Sequence, residues 1–225
     1  MSKGIEFSSR SGQRASGALA EPAGSGKTGG VVVVQEWWGL NDHIRGWVDK
    51  LAAEGFVALA PDLYHGKVTK DPAEAGQLMT ALDTLKAVDE ICGAVKGLQA
   101  HPRSNGKVAV MGFCMGGALS FASACHVPGL ACVVPFYGIP PAEKVDYGKV
   151  TAPILAHFAK KDDWAKPERA QEIKKTLEAA GKSMELHVYD AQHAFMNDTR
   201  TDVHDAACAK QAWERTLAFL RKHLG

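Results

Sequence analysis

Three short stretches of the chain hold residue types that covalent chemistry uses. In Gly112-Phe113-Cys114-Met115-Gly116-Gly117 a thiol stands between two small residues, Gly112 and Gly116. A chain that turns sharply from a strand into a helix needs small residues at those positions, and the turn lifts the side chain between them above the sheet edge. The helix start beyond Cys114 favours thiolate through its dipole and free N–H groups, and it offers the Met115 N–H as an oxyanion donor. Ala159-Lys160-Lys161-Asp162-Asp163-Trp164 supplies carboxylates, and Asp190-Ala191-Gln192-His193-Ala194-Phe195 supplies an imidazole. A nucleophile needs a base, and the base needs a group to orient it. Taken alone, Cys114 is a small buried residue in a Gly-rich turn, the aspartates are loop caps and His193 is a surface histidine. Taken together, their order and their positions after successive strands favour a catalytic reading. Spacing does not separate Asp162 from Asp163.

These residues need elements to hold them. Apolar runs of strand length recur at 31–35, 56–60, 108–112, 131–137, 153–158 and 184–189. Several are apolar throughout, as in strands buried on both faces of a parallel sheet. Helical patterns lie between most of them, at 43–54, 72–98, 115–125 and 167–180, with a last helix at about 203–223. The alternation predicts an α/β sandwich with a mostly parallel sheet, here as one domain over 1–225. The segment before Ala20 reads as one or two edge strands, and 20–30 as a loop. In such sheets ligands bind beyond the carboxyl ends of the strands, where Cys114, the Asp pair and His193 all fall.

Composition narrows the function further. The chain has 225 residues with 26 basic and 25 acidic side chains, a net charge of +1 that points to neither a nucleic acid nor a membrane as partner. The apolar runs are far shorter than the roughly 20 residues that span a bilayer, and the first residues lack the apolar core of a signal peptide. The five cysteines, Cys92, Cys114, Cys125, Cys132 and Cys208, show no paired short spacing, which suits free thiols in a reducing cytoplasm. The sequon Asn197-Asp198-Thr199 has no use there. The histidines do not form a metal-ligand spacing, so neither a metal nor a cofactor is expected. Gly24-Ser25-Gly26-Lys27-Thr28 looks like the end of a phosphate-binding loop. Glu21 stands in place of the first glycine, however, and a strand follows the run instead of a helix.

At this level of detail the chain resembles the dienelactone hydrolase family of the α/β-hydrolase superfamily. The likeness covers nearly the whole sequence. It is most specific in Val34-Gln35-Glu36-Trp37-Trp38-Gly39-Leu40-Asn41, in Leu51 to Phe56, in Ala60-Pro61-Asp62-Leu63-Tyr64, in the Cys114 turn and in His193-Ala194-Phe195. The resemblance implies an α/β-hydrolase fold with little or no lid, and a triad of Cys114, His193 and Asp162. It adds Glu36, which in the family picture hydrogen-bonds a neutral resting thiol and releases it when substrate binds. A carboxylate beside a thiol disfavours thiolate by like-charge repulsion. The Trp37 N–H becomes the second oxyanion donor beside Met115, and Trp38 and Trp164 become pocket walls. The dienelactone-specific enzyme holds a substrate carboxylate with two arginines. One of those positions is Asn197 here, an uncharged substrate contact, and the other falls in 72–85, which contains no arginine. Arg45 and Arg200 are the cations that folding could bring to the pocket.

The expected function is therefore metal-free hydrolysis of a small ester or lactone, with neutral activated substrates preferred over dienelactone, by a monomer or small homo-oligomer. One alternative is attack of the same thiol on activated phosphotriesters. Another is a non-catalytic or redox-sensing scaffold.

Overall fold

A computed structural model describes residues 1–225. Eight strands form one sheet: β1 (Lys3–Ser8), β2 (Arg14–Ala20), β3 (Thr28–Val34), β4 (Val57–Pro61), β5 (Ser104–Phe113), β6 (Cys132–Phe136), β7 (Ile154–Lys161) and β8 (Met184–Gln192). Their spatial order is β1-β2-β4-β3-β5-β6-β7-β8. β1 and β2 are the antiparallel edge, and the strands from β4 through β3 to β8 run parallel. This is the α/β-hydrolase architecture that the sequence implied.

Alternation along the strands explains why they are apolar throughout. Val32 and Val34 enter one core, while Val31 and Val33 enter the other. The first core lies under α3 (Thr84–Gln99), α4 (Met115–His126) and α5 (Pro167–Ala179). The second lies under α1 (Asp42–Ala53) and α6 (Ala206–Leu224). No helix is long and apolar enough to cross a membrane.

Two boundaries depart from the sequence reading. The helix expected at 72–98 is two helices, α2 (Pro72–Ala81) and α3, joined by Leu82-Asp83. Asp83 ends the run because its carboxylate accepts from the N–H groups of Leu85 at 2.9 Å and Lys86 at 3.0 Å, which caps a new helix. Leu82 is left extended, at φ −73° and ψ 118°. The last helix starts at Ala206, where Asp205 accepts from Cys208 N–H at 2.9 Å.

After β3 the chain crosses to β4 on one side and returns to β5 on the other. A crevice therefore opens at the carboxyl ends of β3 and β5, where such sheets bind ligands. Val34 pairs with Gly112 at that edge, so Glu36 and Trp37 follow on one side and Cys114 on the other.

Candidate active site

β5 delivers Cys114 in a turn that few residues tolerate. Its backbone sits at φ 55°, ψ −116°, a conformation that costs a non-glycine residue about 1–3 kcal/mol. The two glycines that the sharp turn called for are needed for close approach. A Cβ on Gly112 would lie 2.3 Å from the Gly116 carbonyl, and one on Gly116 would lie 2.2 Å from that of Val34. Cys114 N–H donates to the Phe136 carbonyl at 3.1 Å, and the Cys114 carbonyl accepts from Ala118 N–H at 3.1 Å. α4 thus begins directly beyond the thiol. The N–H groups of Met115 and Trp37 donate to no backbone carbonyl.

The ends of β7 and β8 bring in the acid and the base. His193 Nδ1 donates to Asp162 Oδ2 at 2.7 Å. Asp162 Oδ1 accepts from the N–H groups of Trp164 at 2.8 Å and Ala165 at 2.9 Å. Asp163, its rival in the sequence, is exposed and borders the cavity beside Cys114, while the hydrogen bond to His193 goes to Asp162. Because Nδ1 carries a proton, Nε2 is the nitrogen left free, and His193 lines the same two cavities as the Cys114 thiol. Burial works against charge on both groups but is outweighed. The bonds and charge of His193 and the two N–H groups hold Asp162 below the usual carboxylate range. The bonds and charges of Asp162 and Cys114 hold His193 up at about 10.

Glu36 is buried at 1 % exposure. Burial pushes its carboxyl up to about 7, against the pull of the Asn197 hydrogen bond and the charges of His193 and Arg200. Its Oε2 accepts from Asn197 Nδ2 at 2.7 Å. Two expectations change here. The carboxylate is paired with Asn197 and not with the thiol, since an amide N–H is a far better donor than S–H. Asn197 borders the outer hollow but is 1 % exposed, and its Oδ1 is taken by the Thr199 N–H at 3.1 Å and hydroxyl at 2.6 Å.

Cys114 lies where two cavities meet. One, of about 270 Å³, contains Glu36, Trp38, Lys161, Trp164 and Arg200. The other, of about 320 Å³, is lined mainly by apolar side chains from α2, α4 and the loop after β6. A larger hollow of about 570 Å³ contains neither Cys114 nor His193 and extends the first outward past Trp38, Lys70 and Arg200. Trp38 and Trp164 therefore do face cavity space, and the Trp37 ring lies edge-on to both, at 4.9 and 5.9 Å. Of the two arginines left open by the sequence, Arg200 reaches the cavity and Arg45 lines none of these spaces. Arg200 is salt-bridged to Asp202. No group of three His, Cys, Asp or Glu side chains is placed to hold a metal ion.

The sequence reading missed Tyr137 and Tyr64. The Tyr137 hydroxyl is buried without a partner, and its ring lies edge-on to His193 at 5.1 Å. Tyr64 donates to the Met115 sulfur at 3.2 Å. Tyr137 ends a predicted strand at the same sheet edge as Cys114, Asp162 and His193, and that was the signal available for it.

Residues 15–224 match the model of the dienelactone hydrolase family. The chain belongs to that family. It is similar to Protein usf of Aquifex pyrophilus, at 38% identity over 100% of both chains. It is similar to carboxymethylenebutenolidase 1 of Cupriavidus pinatubonensis, at 32% identity over 98% of this chain and 97% of the relative. The crystal structure of a Klebsiella pneumoniae protein assigned to the dienelactone hydrolases superposes with a TM-score of 0.83 at 27% identity, covering 96% of this chain and 98% of that one. As a dienelactone hydrolase family member the chain is a hydrolase, and its family acts on small esters and lactones.

Proposed function

We propose that this family member hydrolyses esters or lactones through Cys114, His193 and Asp162, without a metal or cofactor. The observation that supports this most is His193, which is bonded to Asp162 at 2.7 Å and lines the same cavities as Cys114 at the ligand-binding edge of the sheet. Glu36, held by Asn197, lines the same cavity as Cys114.

In the first half-reaction the Cys114 S–H proton passes to His193 Nε2, the sulfur attacks the carbonyl carbon, and the C=O electron pair moves onto oxygen. The free N–H groups of Trp37 and Met115 receive that oxyanion, a contribution of about 10²–10³ in rate for each such donor. Collapse breaks the C–O bond, and the His193 imidazolium gives its proton to the leaving alkoxide. A thioester remains on Cys114. His193 has given its proton to the alkoxide and no longer faces a thiolate, so the neutral imidazole is free to act as base. It takes a proton from water, hydroxide attacks the thioester, and the Cys114 thiolate leaves as the acid is released. Asp162 keeps the ring oriented throughout.

Trp38 and Trp164 wall the space beside the thiol. Arg200 alone, already paired with Asp202, does not offer the two-arginine fork that a substrate carboxylate would need. Neutral substrates are therefore preferred. All five cysteines are unpaired, which supports a cytoplasmic setting.

The test is steady-state hydrolysis of an aryl acetate, a neutral lactone, dienelactone and an aryl phosphotriester by the native chain and Cys114→Ala. Turnover of the first two that disappears in the variant is the expected result. Equal turnover by both proteins, or turnover of the phosphotriester alone, would contradict it.

A further inference from the structure

The two cavities that meet at Cys114 differ in chemistry. The 270 Å³ space carries Lys161, Asp163, Gln192 and Arg200 and leads toward the outer hollow. In the 320 Å³ space, ten of fifteen lining residues are apolar. The first space has seven apolar residues of thirteen and holds the charged ones, so a carbonyl at the thiol that the two spaces share can place one substituent in each.

The apolar wall is built by specific features of the chain. Gly138 follows β6, and a Cβ there would lie 2.1 Å from the Cys114 carbonyl and 2.4 Å from Ala118 N. Glycine alone lets this loop press against the turn that holds the thiol, and Ile139 and Pro140 are thereby set beside it. The break between α2 and α3 also brings Leu82 to the cavity, with Met79 one turn before it. Leu119, on α4, closes the inner end. Leu82 and Ile139 are half-buried side chains packed against the first core, so each keeps a face free for a ligand.

Resting on the proposed thiol hydrolysis, we infer that the physiological substrate is an asymmetric ester or lactone. One substituent of its carbonyl is an apolar chain or ring seated between Leu82, Ile139 and Leu119, and the other is polar and faces Arg200. At about 30 Å³ for each atom, the volume water has in the liquid, the 320 Å³ cavity holds roughly ten non-hydrogen atoms. Ile139 and Leu82 then set specificity and take no part in bond making.

The experiment uses two ester series on the full chain. The acyl group grows from acetyl to hexanoyl in one, and the alkoxy group grows over the same range in the other. In one series kcat/KM should rise about fourfold per methylene, which is the factor for the ~0.8 kcal/mol of burying a CH₂. The other series should stay flat. Ile139→Trp fills the cavity and should remove the rise, so that the variant turns over acetyl and hexanoyl esters with similar kcat/KM. Leu82→Trp, in the more exposed link, is the second variant and should act the same way. Two flat series would overturn the inference, and so would a rise that both variants leave intact. Either result would leave Cys114-dependent acetyl ester hydrolysis standing. Failure of the proposed function would instead appear as no Cys114-dependent turnover of any ester.

Discussion

Replacing Glu36 by Gln should change how stability depends on pH, and by a predictable amount. Glu36 is 1 % exposed, and burial holds its carboxyl at about 7 against an ordinary value of 4.5. The folded chain therefore keeps a proton on Glu36 that the unfolded chain releases from about pH 4.5 to 7. Where the folded state binds more protons, stability falls as pH rises. The loss begins near 4.5 and is complete above about 7. The whole interval, at about 1.4 kcal/mol per pH unit, is worth about 3 kcal/mol, of which about 2.5 lies between pH 5 and pH 8. Gln at this position cannot ionise, and its Oε1 can still accept from Asn197 Nδ2. Urea unfolding of both proteins at pH 5 and pH 8 isolates the effect, because every other titration common to the two cancels. The Gln variant should gain about 2–3 kcal/mol on the native chain on going from pH 5 to pH 8. Parallel profiles would show that Glu36 ionises like an exposed carboxylate, and the account of a buried carboxyl tied only to a neutral amide would be wrong.

Other outcomes follow from the same geometry. Alkylating Cys114 with iodoacetamide removes a thiol that helps hold His193 at about 10; the imidazole should then titrate at lower pH by NMR, and an unmoved titration would separate the two residues. Dialysis against EDTA should leave ester hydrolysis unchanged, while loss of activity restored by zinc or manganese would require a metal site. Gly138→Ala forces a Cβ to within 2.1 Å of the Cys114 carbonyl. Overpacking of this kind costs about 1–3 kcal/mol, so calorimetry should show a lower Tm together with reduced kcat; a native Tm would mean that the loop does not press on the turn.

The parts of the fold and site that were legible in the sequence are those encoded locally. The Cys114 turn is a strand, two close glycines and a helix in one run, and Cys114, Asp162 and His193 each follow their own strand. Alternating burial of Val31 to Val34 on two faces left the uniform apolar runs by which the strands were found. The break at Leu82-Asp83 was hidden because helical spacing continues across it while the Asp83 cap acts against that spacing. The bond from Asn197 to Glu36 joins residues 161 positions apart, and a neutral amide gave no charge pattern to suggest it. The position of Arg200 depended on where the loop after β8 runs. The apolar cavity draws on α2, α4 and the loop after β6, and no short segment describes it.

The central claim is that substrate carbon becomes bonded to the Cys114 sulfur. The most direct test is intact-mass and peptide-mass measurement of the chain quenched in acid during turnover of an aryl ester, with His193→Ala used to slow thioester hydrolysis. The account predicts one added acyl group, located on Cys114 and labile to hydroxylamine as a thioester is. Turnover with the acyl group on another residue, or undiminished turnover by Cys114→Ala, would contradict it.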